Sequence, residues 1–215
     1  MNIKKLIFEG EGVTLDFKKT IANCEKIAKT LVAFANNKGG RLLVGVADDG
    51  SIHGLKAEDE EKYMLAKAAN FYCKPAVEIH FEEVYIDEKV VLVAEIKESD
   101  SKPNYALGED KKWWVYIRVK DQTLLASRIV MDVLRRRNSE ENILIEYSSN
   151  EKTLLEYLEN HKRITSQEYI KISNLSRRKA QIILVNLVLS GIIQLHTTEK
   201  EEYYTASKVF KNSVM

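Results

Sequence analysis

The chain has 215 residues, 45% of them hydrophobic and 30% charged, with a formal net charge of +1. That length suits one or two domains and can bury a core without disulfide or metal staples. A charge so close to zero excludes a global field drawing the molecule to nucleic acid or to a membrane surface. In chain order, Val13 to Phe17 alternates with period two and predicts a short strand. From Asn23 to Asn36 the residues Ile27, Ala28, Leu31, Val32, Phe34 and Ala35 recur at helical spacing, and Asn37, Gly39 and Gly40 end that helix. Arg41 to Ala47 is apolar at nearly every position, which predicts a strand buried on both faces. Asp49-Gly50 is a hairpin-turn dipeptide. A second helix fits Glu58 to Tyr72, with Pro75 beyond its end.

The period then returns to two. Val77, Ile79 and Phe81 alternate with Glu78, His80 and Glu82, as in a half-exposed strand. Asp87 to Lys89 turns the chain into a buried strand, Val90 to Ile96. A polar loop leads to a strand over Trp113 to Val119, and Thr123 to Arg137 is expected to be helical. The mixture argues an α+β fold with a mostly antiparallel sheet flanked by helices. Asn138 to Asn150 has the composition of a linker, with a short strand expected over Ile143 to Tyr147. Helices follow at Glu151 to Asn160, after the Thr165/Glu168 capping-box pair, and from Ser176 to Ser190. Two strands around a polar turn close the chain. Three helices followed by a two-stranded ribbon is the plan of a winged helix. The expected domains are therefore 1–137, a linker at 138–149, and a winged helix at 150–215.

The cysteines, Cys24 and Cys73, are far apart in apolar contexts and form no CxxC or Cys/His cluster, so no zinc site is expected. The segment MNIKKLIFEGEGV lacks the apolar run of a signal peptide, and the stretch Ile182 to Ile193 is too short and polar to span a bilayer. A cytoplasmic location without membrane association is expected. Of the 33 basic and 32 acidic residues, 10 and 7 fall from Asn150 onward. This modest excess makes the C-terminal part the better partner for phosphate.

Within the expected winged helix, the third helix opens with Ser176, Arg177, Arg178, Lys179 and Gln181. Arg offers a fork to guanine or phosphate, Lys a point charge, and Gln a match to adenine. Lys200 stands at the expected wing tip, although the wing itself is acidic. Arg118 and Lys120, beside the aromatic residues Trp113, Trp114 and Tyr116, are further candidates for nucleic-acid contact. Gly39-Gly40 is not a phosphate loop. The order helix, Gly-Gly, strand presents the carbonyl end of a helix, which repels phosphate.

The stretches EGVTLDFK, LVAFANNKGGRLLVGVADDGSIHGL and KPNYAL with WWVYIRVKDQTLLAS together resemble the Schlafen/AlbA-type domain of bacterial regulators. The resemblance covers roughly Glu9 to Arg128, and bacterial relatives often carry a winged helix after this domain. It implies DNA or RNA binding and, as in the animal Schlafen branch, metal-dependent RNA cleavage by three carboxylates. Glu11, Asp16 and Asp48 occupy the positions of that trio, with Lys18 in the family's acid-Phe-Lys motif. Asp16 departs from the usual Glu, and Lys120 stands where Gly is common. Two or three carboxylates can hold Mg²⁺ or Mn²⁺, and the metal can activate water. The same residues equally suit a turn and a solvated surface. Three readings stay open: a DNA-binding transcription regulator, a metal-dependent endonuclease, and a protein-interaction module whose winged helix forms a homodimer.

Overall fold

The computed structural model describes residues 2–137 and 148–207. The chain divides into two compact units, Met1–Ala126 and Ser127–Met215. The strand expected over Ile143 to Tyr147 lies outside the described residues.

In the first unit, α1 (Ile3–Glu9) precedes β1 (Leu15–Lys18), α2 (Cys24–Asn36) and β2 (Gly40–Val44). Then come α3 (Glu58–Phe71), β3 (Cys73–Lys74), β4 (Ile79–Ile86) and β5 (Lys89–Ile96). The unit closes with β6 (Tyr105–Leu107), β7 (Trp113–Val119) and β8 (Gln122–Leu125). One sheet has the order β1-β2-β5-β4 and the other β3-β6-β7-β8. Only the β1–β2 pairing is parallel among the described strands.

The two-faced burial expected of Arg41 to Ala47 is visible residue by residue. Leu42 and Val44 enter the core built around α2, while Leu43 enters a second core with Ile3, Phe17 and Val91. Strand β5 does the same, with Leu92, Ala94 and Ile96 on one face and Val91 and Val93 on the other. Helix α2 starts at Asn23, whose side chain accepts from the Lys26 N–H, and it is buried on nearly every side. A Cβ on Gly40 would run into the Phe34 ring, and one on Gly39, at φ +72°, would come within 2.5 Å of the Ile96 carbonyl oxygen. The glycine pair thus lets the chain leave a buried helix and enter a buried strand without a gap.

Two expectations need correction. The helix expected from Thr123 begins only at α4 (Arg128–Arg137), because Thr123 to Leu125 pair antiparallel with β7. Ser127 then starts the helix, its hydroxyl accepting from the Val130 N–H at 3.2 Å. Asp49-Gly50 does turn the chain, with the Gly50 N–H donating to Ala47, but only an isolated bridge, Val46 to Ile52, follows in place of a hairpin ladder. The division between units falls ahead of α4, which packs on a helix of the second unit.

The second unit continues with α5 (Ser149–Asn160), α6 (Ser166–Ser173) and α7 (Arg177–Leu189). The antiparallel pair β9 (Ile193–Thr197) and β10 (Glu202–Ala206) follows. Thr165 and Glu168 form the expected capping box, and Asn174 takes the left-handed conformation in the α6–α7 turn. Leu154, Leu158, Ile164, Tyr169, Leu184, Leu187 and Tyr204 make its core. Among the described residues no helix is long and apolar enough to cross a membrane.

Candidate nucleic-acid interface

Three of the four proposed catalytic residues of the first unit come together; the fourth does not join them. The Glu11 carboxylate accepts the Phe17 N–H at 2.7 Å, which folds the residues before β1 back against that strand. This brings Glu11 within hydrogen-bonding reach of Asp16. Burial raises the Glu11 pKa above the usual carboxylate value; the Phe17 N–H opposes this and the Asp16 charge adds to it. The Lys18 ammonium lies 3.0 Å from Asp16 Oδ2 and donates to the Phe17 carbonyl at 2.6 Å. Asp48, by contrast, is exposed in the turn after β2.

Asp16 is only 4% exposed, and its second neighbour explains why. Arg118 is also 4% exposed, so it is not at the surface where a nucleic acid would meet it. Its Nη1 lies 3.2 Å from Asp16 Oδ1, and its Nη2 donates to the Gly12 carbonyl at 2.7 Å and the Leu15 carbonyl at 3.2 Å. The guanidinium also covers the Phe34 ring at 5.1 Å. Asp16 therefore already has its charge compensated by two cations. Among the described residues no group of three or more His, Cys, Asp or Glu side chains is arranged to hold a metal ion.

The remaining first-unit candidates are at the surface. Lys120 is exposed in the β7–β8 turn at φ +55°, a conformation that favours glycine, which gives a physical reason for the Gly expected there. Trp113 and Trp114 are 40% and 37% exposed, whereas Val115 and Ile117 of the same strand are buried. Trp114 Nε1 donates to Asp110 at 3.0 Å. Cys24 and Cys73 are free, and burial pushes the Cys73 thiol up to about 12, so it is no nucleophile at neutral pH.

In the second unit Ser176, Arg177, Arg178 and Lys179 are all exposed. Ser176 caps α7, accepting from the Lys179 N–H at 3.3 Å. Gln181 is not free to meet a base: it donates to Asp132 of α4. Lys200 is exposed between β9 and β10, and Glu201 beside it pairs with Arg163 at 2.6 Å.

Over residues 11–127 the sequence matches the family described as Schlafen, AlbA_2. The chain belongs to that family. Solved structures similar to it include the following two. The DIP2311 protein from Corynebacterium diphtheriae aligns with a TM-score of 0.43 at 16% identity, over 64% of this chain and 30% of that one. The N-terminal domain of a RecG-related ATP-dependent DNA helicase protein from Nitrosomonas europaea aligns with a TM-score of 0.43 at 21% identity, over 68% of this chain and 96% of that one. No curated protein matches the chain.

The Schlafen AlbA_2 segment also contains residues whose role sequence reasoning missed. Asn36 and Asn37, taken only as a helix stop, tie α2 to the second sheet. Asn36 Nδ2 donates to the carbonyls of Asn104 and Tyr116, both at 2.9 Å, and its Oδ1 accepts the Asn104 N–H at 2.7 Å. Asn37 binds the N–H and C=O of Arg118, at 3.2 and 2.9 Å. The signal was the pair itself, two amides at the end of an otherwise apolar helix, each able to donate and accept. Arg128, exposed at the start of α4, was also passed over because the helix was expected to begin earlier.

Proposed function

We propose that this Schlafen AlbA_2 protein binds nucleic acid without cutting it and acts as a DNA-binding transcription regulator. In this reading the second unit is a winged helix, with α7 as the helix that meets DNA and β9–β10 as its wing. One observation carries the proposal: the first turn of α7 exposes Arg177, Arg178 and Lys179 together. An exposed helix N-terminus carrying three cations suits backbone phosphates, through charge and through its free N–H groups. A cytoplasmic location and a homodimer are the arrangement this reading expects.

Fluorescence anisotropy with a labelled duplex, followed over a range of salt concentrations, tests it. Affinity should fall steeply with salt, and replacing Arg177, Arg178 and Lys179 with Ala should flatten that dependence by about 0.9 in log–log slope per lost phosphate contact. An affinity unmoved by the triple variant overturns the assignment of α7.

Metal-dependent nuclease activity is the second reading, favoured by the juxtaposition of Glu11, Asp16 and Lys18. It predicts Mn²⁺-dependent cleavage of tRNA-like RNA that is lost in Asp48→Ala and retained in Arg178→Ala. Intact substrate under those conditions removes it.

A further inference from the structure

We infer that the second unit holds nucleic acid by its phosphates alone, in a cavity between the N-terminal ends of α4 and α7, and reads no base sequence. The inference rests on the nucleic-acid reading above and narrows it to a ligand chemistry and a mode of contact.

Its first support is what has become of the base-reading side chains of α7. Asn and Gln are the residues that pair with adenine edges in the major groove. Helix α7 has one of each, and α4 engages both. Gln181 donates to Asp132, and Asn186 Oδ1 accepts from Arg136 Nη1 at 2.7 Å. The burial of α7 points the same way. Ala180, Ile183, Leu184 and Leu187 face the unit's core. Val185, one turn beyond Gln181 on the flank that meets α4, is only 2% exposed. A helix apolar on more than one flank leaves little polar surface along its length for the edges of bases. What remains open is the first turn and, beyond it, Ile182, which is 49% exposed and has no hydrogen-bonding group to offer a base.

The second support is the cavity at that turn. It measures about 800 Å³, and Arg128, Arg177 and Arg178 line it together with Asp132, Gln181 and Ile182. Among the described residues none of the three arginines makes an ion pair. The carboxylate in the cavity, Asp132, is already engaged by Gln181 and by Arg135 at 3.7 Å. Three arginines from two helices therefore line one space, and Asp132, the carboxylate that shares it, is held by Gln181 and Arg135. Each guanidinium fork matches a phosphate with two parallel hydrogen bonds, and a convergent set of forks favours successive phosphates over one base edge. The acidic wing, with Glu199 and Glu201 flanking Lys200, offers no second phosphate track.

The test compares duplexes of equal length and different sequence, AT-rich, GC-rich and mixed, by anisotropy at matched salt with the whole protein. Dissociation constants should agree within about threefold, because a base reader would separate such duplexes by about tenfold or more for each contacted pair. Arg128→Ala, Arg177→Ala and Arg178→Ala should each lower the log–log salt slope by about 0.9. All three side chains are exposed, so the fold is retained, as thermal melts can verify. Gln181→Ala should leave the relative affinities for the three duplexes unchanged. A preference of about tenfold or more for one duplex that disappears in Gln181→Ala or Arg178→Ala overturns this inference and leaves nucleic-acid binding standing. An unchanged slope in Arg128→Ala overturns the cavity as the site. Failure to bind any duplex overturns both this inference and the DNA-binding proposal on which it rests.

Discussion

Asp16 and Arg118, 102 residues apart in the chain, form an ion pair at 3.2 Å with side chains 5% and 2% exposed. The pair joins β1 of one sheet to β7 of the other, and it takes a candidate catalytic residue and a candidate nucleic-acid contact into the interior. Removing one partner of a buried pair strands the other charge, at a cost of about 3–5 kcal/mol. Arg118→Met should therefore destabilise the first unit by about that amount in urea titration. Lys18, at 3.0 Å from Asp16, still compensates part of the charge, which favours the lower end of that range. Adding Asp16→Leu to Arg118→Met should recover part of the loss, since an apolar pair leaves no charge behind.

Glu11 predicts a pH effect of definite sign. Its folded pKa lies above the usual 4.5, chiefly through burial. The folded state thus holds this proton more tightly than the unfolded chain. That stabilisation is complete below the unfolded value and is lost as pH rises through the raised folded value. Glu11→Gln keeps an oxygen for the Phe17 N–H and cannot ionise. The variant's urea midpoint should rise relative to the wild type as pH climbs above about 4.5, then level off towards neutrality. A constant difference across that range would show that Glu11 does not titrate differently on folding.

Asn36 offers a sharper structural test. Asn36→Ala leaves one N–H and two carbonyls of Asn104 and Tyr116 without their partner. An unsatisfied buried group costs about 1–3 kcal/mol, so a loss of about 3 kcal/mol is expected. Hydrogen exchange should accelerate at Asn104 first, because its N–H depends on Asn36 alone among the described hydrogen bonds.

Lys120 separates structure from binding. Its left-handed backbone, at φ +55°, costs a non-glycine residue about 1 kcal/mol. Lys120→Gly should stabilise the first unit by up to that amount. If Lys120 also touches a phosphate, the same change should weaken DNA binding and flatten its salt dependence. Unchanged binding would leave the lysine as a turn residue only.

How much of this was legible beforehand depended on the range of the interaction. Helix α2 and strand β2 declared themselves through local patterns: helical spacing up to Asn36, then glycines, then an unbroken apolar run. Strand β8 was lost because Thr123 to Leu125 reads equally well as the start of a helix, and only pairing with β7 decides between the two. The site was less legible than the fold. Asp16 and Lys18 share β1, and Glu11 lies just before it and folds back onto Phe17, so short spacing alone brings these three together. That Arg118 would turn inward to Asp16 depends on two sheets meeting, and nothing in WWVYIRV distinguishes an inward arginine from an outward one. Gln181 looked like a reader of bases for the same reason, its partner lying 49 residues away on α4.

Helix α4 also determines where the gene can be cut. A fragment beginning at Asn150, the boundary that the sequence pattern suggests, would lack α4 entirely. It would bare the flank of α7 that holds Val185, leave Gln181 and Asn186 without their partners, and remove Ser148, the cap of α5. Such a piece would carry a fresh apolar stripe and tend to self-associate. Its oligomers would then reflect the missing helix and say nothing about the native protein. A piece that starts at Ser127 keeps α4, and with it the partners of Gln181 and Asn186.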